Sequence, residues 1–79
     1  MNDLKINTDF ITLGQLLKMT NAISSGGMAK WYLDEHIVYV NGEEEQRRGK
    51  KVRHDDVIKL PEIVTFKIIE MTNGSSDVY

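Results

Sequence analysis

Leu4-Lys5-Ile6-Asn7 alternates apolar and polar side chains, the period-two pattern of a strand with one buried face. The spacing then changes. Leu13, Leu16, Leu17 and Thr20 recur at helical intervals, while Gln15 and Lys18 face the other way. Asp9-Phe10-Ile11 leads into Thr12, a suitable N-cap, and Gln15 stands three residues on, at the capping-box spacing. Asn21 suits the end of this helix because asparagine tolerates the left-handed conformation. Ser25-Gly26-Gly27 opens a second stretch of roughly ten residues with helical potential, and Ser25 is expected to cap it. In that helix Ala29, Tyr32 and Leu33 share a face and should pack on the first helix, with Leu16 and Leu17 opposite. Lys30, Asp34 and Gly27 lie on the far side, and Trp31 also falls away from the apolar face.

The second half reads as strands. Ile37 to Val40 is a β-branched and aromatic run. Asn41-Gly42 predicts a two-residue type I′ hairpin turn. Glu43 to Arg48 should return as a polar strand at a sheet edge, broken by Gly49, with Val52 as an isolated apolar anchor. Asp55-Asp56 reads as a turn and Val57-Ile58-Lys59-Leu60 as a strand, after which Pro61 removes a pairing donor. Thr65 to Glu70 alternates again and is a candidate partner for Leu4 to Asn7. Residues 72–79 are polar, contain Gly-Ser-Ser, and read as a flexible tail. The fold class predicted is α+β: two adjacent helices on a small, mostly antiparallel sheet. A single domain is expected over residues 1–71.

Composition narrows what such a domain does. Seventy-nine residues allow one small core. There is no cysteine, so disulfides and thiolate metal sites are ruled out. No apolar run approaches the roughly twenty residues of a membrane span. Met1-Asn2-Asp3-Leu4-Lys5 lacks the basic start and apolar stretch of a signal peptide. A bacterial-type cytoplasmic protein is the expectation, with a monomer favoured.

The formal net charge of −2 argues against indiscriminate attraction to polyanions. Its distribution is uneven: residues 47–54 carry five fixed positive charges and no acid, and only Gln46 separates them from the three glutamates 43–45. Arg47, Arg48, Lys50, Lys51 and Arg53 would repel one another, and a polyanion relieves that repulsion. Taken alone, the block reads slightly better as a solvated, protected edge.

The ordered series Ser25, Ala29, Lys30, Leu33, Val38-Tyr39-Val40-Asn41-Gly42 and Asp56-Val57-Ile58 resembles the RNA-binding domain family named after small-subunit ribosomal protein four, the S4 domain. Thr12-Leu13-Gly14-Gln15-Leu16-Leu17-Lys18, Gly26-Gly27-Met28-Ala29-Lys30, Val40 to Glu45 and Arg47-Arg48-Gly49-Lys50-Lys51 resemble its small stand-alone bacterial subgroup, often called YaaA-like. The resemblance covers roughly residues 12–60. It implies the alpha-L motif fold and binding to structured RNA, ribosomal or transfer, or to a ribosomal particle, without catalysis and without cofactors. It also moves the basic block from solvated edge to phosphate contact.

The RNA-binding set expected on that basis is Lys18, Ser25, Gly26, Gly27, Lys30, Arg47, Arg48, Lys50, Lys51 and Arg53. Gly26-Gly27 would let a phosphate approach the positive end of the second helix. Gly26 departs from the wider family, which often has arginine after the capping serine. His36 stands where many S4 domains have glycine, so a positive φ is expected there, at some cost. Trp31 is either a base-stacking platform or packed beneath the terminal strands, and packing is the expected outcome. Tyr39 carries the same two readings.

Other chemistry is poorly served. Neighbouring glutamates on a strand point to opposite faces, so Glu43, Glu44 and Glu45 do not converge on a metal. His36 and His54 lack zinc-ligand spacing. No nucleophile elbow or Walker loop is present. Two rival functions remain: a protein-docking module using the acidic and basic hairpin, and a β-grasp sulfur carrier. The second requires a C-terminal Gly-Gly, whereas this chain ends Ser76-Asp77-Val78-Tyr79.

Overall fold

A computed structural model describes residues 2–61 and 64–71. The predicted tail, residues 72–79, lies outside them. Among the described residues, seven strands and two helices follow in the order β1 (Asn2–Ile6), β2 (Phe10–Thr12), α1 (Leu13–Met19), α2 (Ala29–Glu35), β3 (Val38–Val40), β4 (Glu43–Glu45), β5 (Lys51–Arg53), β6 (Val57–Leu60) and β7 (Val64–Glu70), with a 3-10 turn at Gly26–Met28 before α2. The architecture is α+β, as expected.

The main sheet has the order β1-β7-β6-β3-β4. All its pairings are antiparallel except β1 with β7, which run parallel with Leu4 opposite Ile68. The terminal strands therefore pair, as their matching alternation suggested. A separate antiparallel ribbon joins β2 to β5, with Ile11 opposite Val52. That ribbon is a correction: Phe10–Thr12 is a strand rather than a lead-in, and Val52 is paired rather than isolated. Both residues of the Ile11–Val52 pair are buried.

One apolar core unites these layers. Leu13, Leu16 and Leu17 from α1, with Ala29 and Leu33 from α2, cluster with Val38, Ile58 and Ile68 from the sheet. Leu16, Leu17 and Ile58 are wholly inaccessible to solvent. These side chains fall on one face of each helix because their spacing follows the helical period, and on one face of each strand because alternate residues point the same way.

Local signals explain the joints. The capping box at the start of α1 is complete: Thr12 Oγ1 accepts from the Gln15 N–H at 3.2 Å, and Gln15 Oε1 accepts from the Thr12 N–H at 2.8 Å. Asn21 ends the α1 region at φ 65°, and Asn41 and Gly42 form the hairpin turn at φ 53° and 86°. Three expectations fail. Ser25 makes no side-chain cap, because the segment opens as a 3-10 turn and the α-helix starts only at Ala29. His36 is extended, with φ −131°, since the chain passes straight from α2 toward β3 without a left-handed residue. β4 stops at Glu45, so Arg47 and Arg48 belong to the following loop rather than to a strand.

Candidate nucleic-acid interface

The basic loop is fixed to the start of α1 by its backbone. The Leu13 N–H donates to the Lys50 carbonyl at 2.8 Å, and the Gly14 N–H donates to the Arg48 carbonyl at 2.9 Å. First-turn N–H groups of a helix have no partner within the helix, and here the loop supplies two. A Cβ on Gly14 would stand 3.4 Å from the Arg48 carbonyl oxygen and 3.5 Å from the Ala29 Cβ. A methyl group would therefore just fit between the loop and α2, and a larger side chain would not.

This anchoring divides the predicted residues into groups. Arg48 and Lys18 meet Gly26 around a groove of about 440 Å³, together with Thr12, Gly14, Gln15, Ala29 and Gly49. Lys51 and Arg53 lie on the outer face of the β2–β5 ribbon, with Val52 between them turned into the core. Lys51 Nζ is 4.8 Å from the centre of the Phe10 ring, and the Arg53 guanidinium carbon is 5.3 Å from it. Lys50 is half-buried at the junction between the two groups.

Arg47 is differently employed. Its Nε donates to Glu45 Oε2 at 2.9 Å, Nη2 donates to Oε1 at 3.3 Å, and its backbone N–H donates to Oε2 at 3.0 Å. The Arg47 guanidinium beside Glu45 holds that carboxyl below its ordinary range. The carboxylate in turn raises Arg47. This pair shapes the turn out of β4 and removes one charge from the block.

The remaining candidates are more dispersed. Lys30 is exposed and reaches Asp34 one helical turn away at 3.8 Å. Ser25 and Gly27 are exposed beside Gly26. A Cβ added at Gly26 or Gly27 would meet nothing within 4 Å, so the fold does not require glycine at either position. Trp31 is 53% exposed, which overturns its expected place beneath the terminal strands. Its ring makes edge contacts with Tyr32 and His36, at centroid distances of 6.4 and 6.2 Å.

Phe10, Thr12, Gly14 and Gln15 were not singled out from sequence as parts of this surface. Gly14 stands out in the sequence only as a glycine inside an otherwise apolar-periodic helix. No comparable signal marks Phe10, whose partners lie some forty positions away and become neighbours only through the ribbon.

A family model described as S4 domain matches residues 4–69, nearly the whole described chain. The chain belongs to the S4 domain family. It is also 47% identical over 68 residues to the "Probable ribosome maturation protein RlbA" of Bacillus subtilis (strain 168), a match covering 86% of this chain and 96% of that protein. Among the described residues of this S4 domain, no helix is long and apolar enough to cross a membrane.

Proposed function

We propose that this S4 domain protein binds structured RNA, ribosomal or transfer, in the bacterial cytoplasm, without chemistry of its own, and acts on a ribosomal particle during its maturation. The two helices and the following hairpin would form the alpha-L motif of the family and carry the contact. The observation behind this reading is the acid-free loop tethered at Arg48 and Lys50 to the first turn of α1. Tethering fixes the path of the loop backbone, so its cations are offered in a defined arrangement at a reduced entropic cost of binding. Arg48 and Lys18 would receive a phosphate in their groove, Lys50, Lys51 and Arg53 would extend the contact, and the open Gly26-Gly27 entry would let the RNA backbone come near. Ser25 and Lys30 flank that entry. Membership of the S4 domain family and similarity to a protein named for ribosome maturation support the same direction.

The test is filter binding of purified ribosomal RNA over a range of salt concentrations. Replacing Lys50 and Lys51 together by Gln should weaken binding. It should also flatten the log–log salt dependence by about 1.4 if both contact single-stranded phosphates. The melting temperature should change little, because exposed charges contribute little to folding. An unaltered slope would remove the loop from the RNA surface. Retained RNA affinity with loss of a protein partner would favour the docking alternative.

A further inference from the structure

We infer that Phe10 is a positioning residue that holds Lys51 and Arg53 together as a two-pronged grip on the phosphodiester backbone of RNA. The inference rests on the RNA-binding reading and adds a residue and a mechanism to it. Phe10 and Arg53 stand opposite each other in the ribbon, and Thr12 stands opposite Lys51. Phe10, Thr12, Lys51 and Arg53 consequently share the outer face, while Ile11 and Val52 fill the core beneath. Both cations lie within the reach of a cation–π contact with the same ring. Among the described residues, neither forms an ion pair with an acid.

Two like charges on adjacent outward positions repel, and flexible side chains would ordinarily swing apart. The negative face of the ring attracts both without neutralising either. Each charge therefore stays available to an anion while its side chain is already partly ordered. A carboxylate at the position of Phe10 would also hold the cations, but it would cancel them. An aliphatic residue would leave them charged and mobile. An aromatic ring alone combines order with retained charge, and a doubly charged, ordered pair suits the repeating anionic backbone of a nucleic acid.

The experiment compares Phe10→Leu, Phe10→Trp and a Lys51→Gln, Arg53→Gln double variant, with purified ribosomal RNA as the probe. Thermal melts establish that each is folded. Phe10→Leu should weaken binding about 3- to 10-fold, the cost of ordering the freed side chains on binding. Its salt slope should match the wild type, because no charge has been lost. Phe10→Trp should retain affinity within about twofold, since the indole ring offers the strongest cation–π face. In proton NMR of the free protein, the Lys51 ε-methylene signals should be shifted upfield by the ring and return toward random-coil positions in Phe10→Leu.

Wild-type affinity in Phe10→Leu, or equal weakening in Phe10→Leu and Phe10→Trp, would overturn the positioning role while leaving RNA binding intact. Unchanged affinity and slope in the lysine–arginine double variant would instead take the ribbon out of the RNA surface altogether. The two failures are therefore distinct.

Discussion

The side chains of Asn41 and Asp56, 15 residues apart, meet at 3.0 Å, with Asn41 Nδ2 donating to Asp56 Oδ1. Asn41 Oδ1 accepts from the Val57 N–H at 2.8 Å, and Asp56 Oδ2 accepts from the Arg53 N–H at 2.8 Å. One asparagine and one aspartate thus join the β3–β4 hairpin turn to the turn between β5 and β6.

Asn41 serves both turn geometry and cross-linking, and two substitutions separate these roles. Asn41→Gly keeps a residue that tolerates positive φ but loses the side-chain bonds, and should cost about 1–2 kcal/mol. Asn41→Ala adds the strain of a left-handed alanine, for a further cost of about 1 kcal/mol. Chemical denaturation of both variants measures the difference. Equal stability would mean that conformational strain at this turn is negligible.

Gly14 faces the Arg48 carbonyl at a distance where one extra carbon makes ordinary contact. Gly14→Ala should therefore be tolerated, with a gain of up to about 1 kcal/mol from helix propensity. Gly14→Leu should push the loop away and cost about 1–3 kcal/mol. RNA affinity should fall only in the leucine variant, because displacement of Arg48 and Lys50 disarranges the grip.

Leu33 is 1% exposed and packs in the cluster that contains Leu16, Leu17 and Ala29. Leu33→Ala should cost about 2–5 kcal/mol, through lost burial and the cavity left behind. A domain of this size has little reserve against such a loss. An unchanged melting curve would contradict the assignment of the helix–helix contact.

The Glu45–Arg47 pair predicts a direction in pH. Hydrogen bonding to Arg47 lowers Glu45 in the folded protein, so the unfolded chain binds its proton more readily. The resulting stabilisation is complete above the ordinary carboxylate range and is lost as pH falls through the lowered folded value. Arg47→Gln should move the Glu45 carboxyl back upward in a carbon-detected NMR titration. It should also flatten the acid limb of the stability profile. A Glu45 midpoint indifferent to Arg47 would show that the pair does not form in solution.

The chain announces its local rules more clearly than its long-range ones. Thr12 with Gln15, Asn21, and Asn41-Gly42 each carry a side chain whose chemistry fits one backbone conformation, and each appears as expected. The β2–β5 ribbon does not announce itself, because three-residue strands contain too little alternation to reveal a period. Ser25 has the residue type and extended backbone of a cap, yet the 3-10 start leaves its hydroxyl unused. Trp31 was misplaced because its size argued for burial, while its position off the apolar stripe of α2 argued for exposure, and position prevailed. Seven of the ten expected site residues were read from their charge, and Ser25, Gly26 and Gly27 from the glycine entry to the second helix. Their division between a groove, an aromatic ring and an internal ion pair depends on how the loop is pinned.

The place of β7 in the main sheet constrains the order of assembly. Among the described strands it is the last to be synthesised, yet it lies between β1 and β6, and β1 has no other neighbour in its sheet. The amino-terminal strand must wait for nearly the whole chain before its backbone is paired. Pairing of the main sheet therefore cannot proceed strand by strand from β1. Until β7 is in place, the edge of β6 that it covers is open and β1 has no partner strand in its sheet. Closure of the main sheet thus depends on a contact between segments more than sixty positions apart, Leu4 with Ile68.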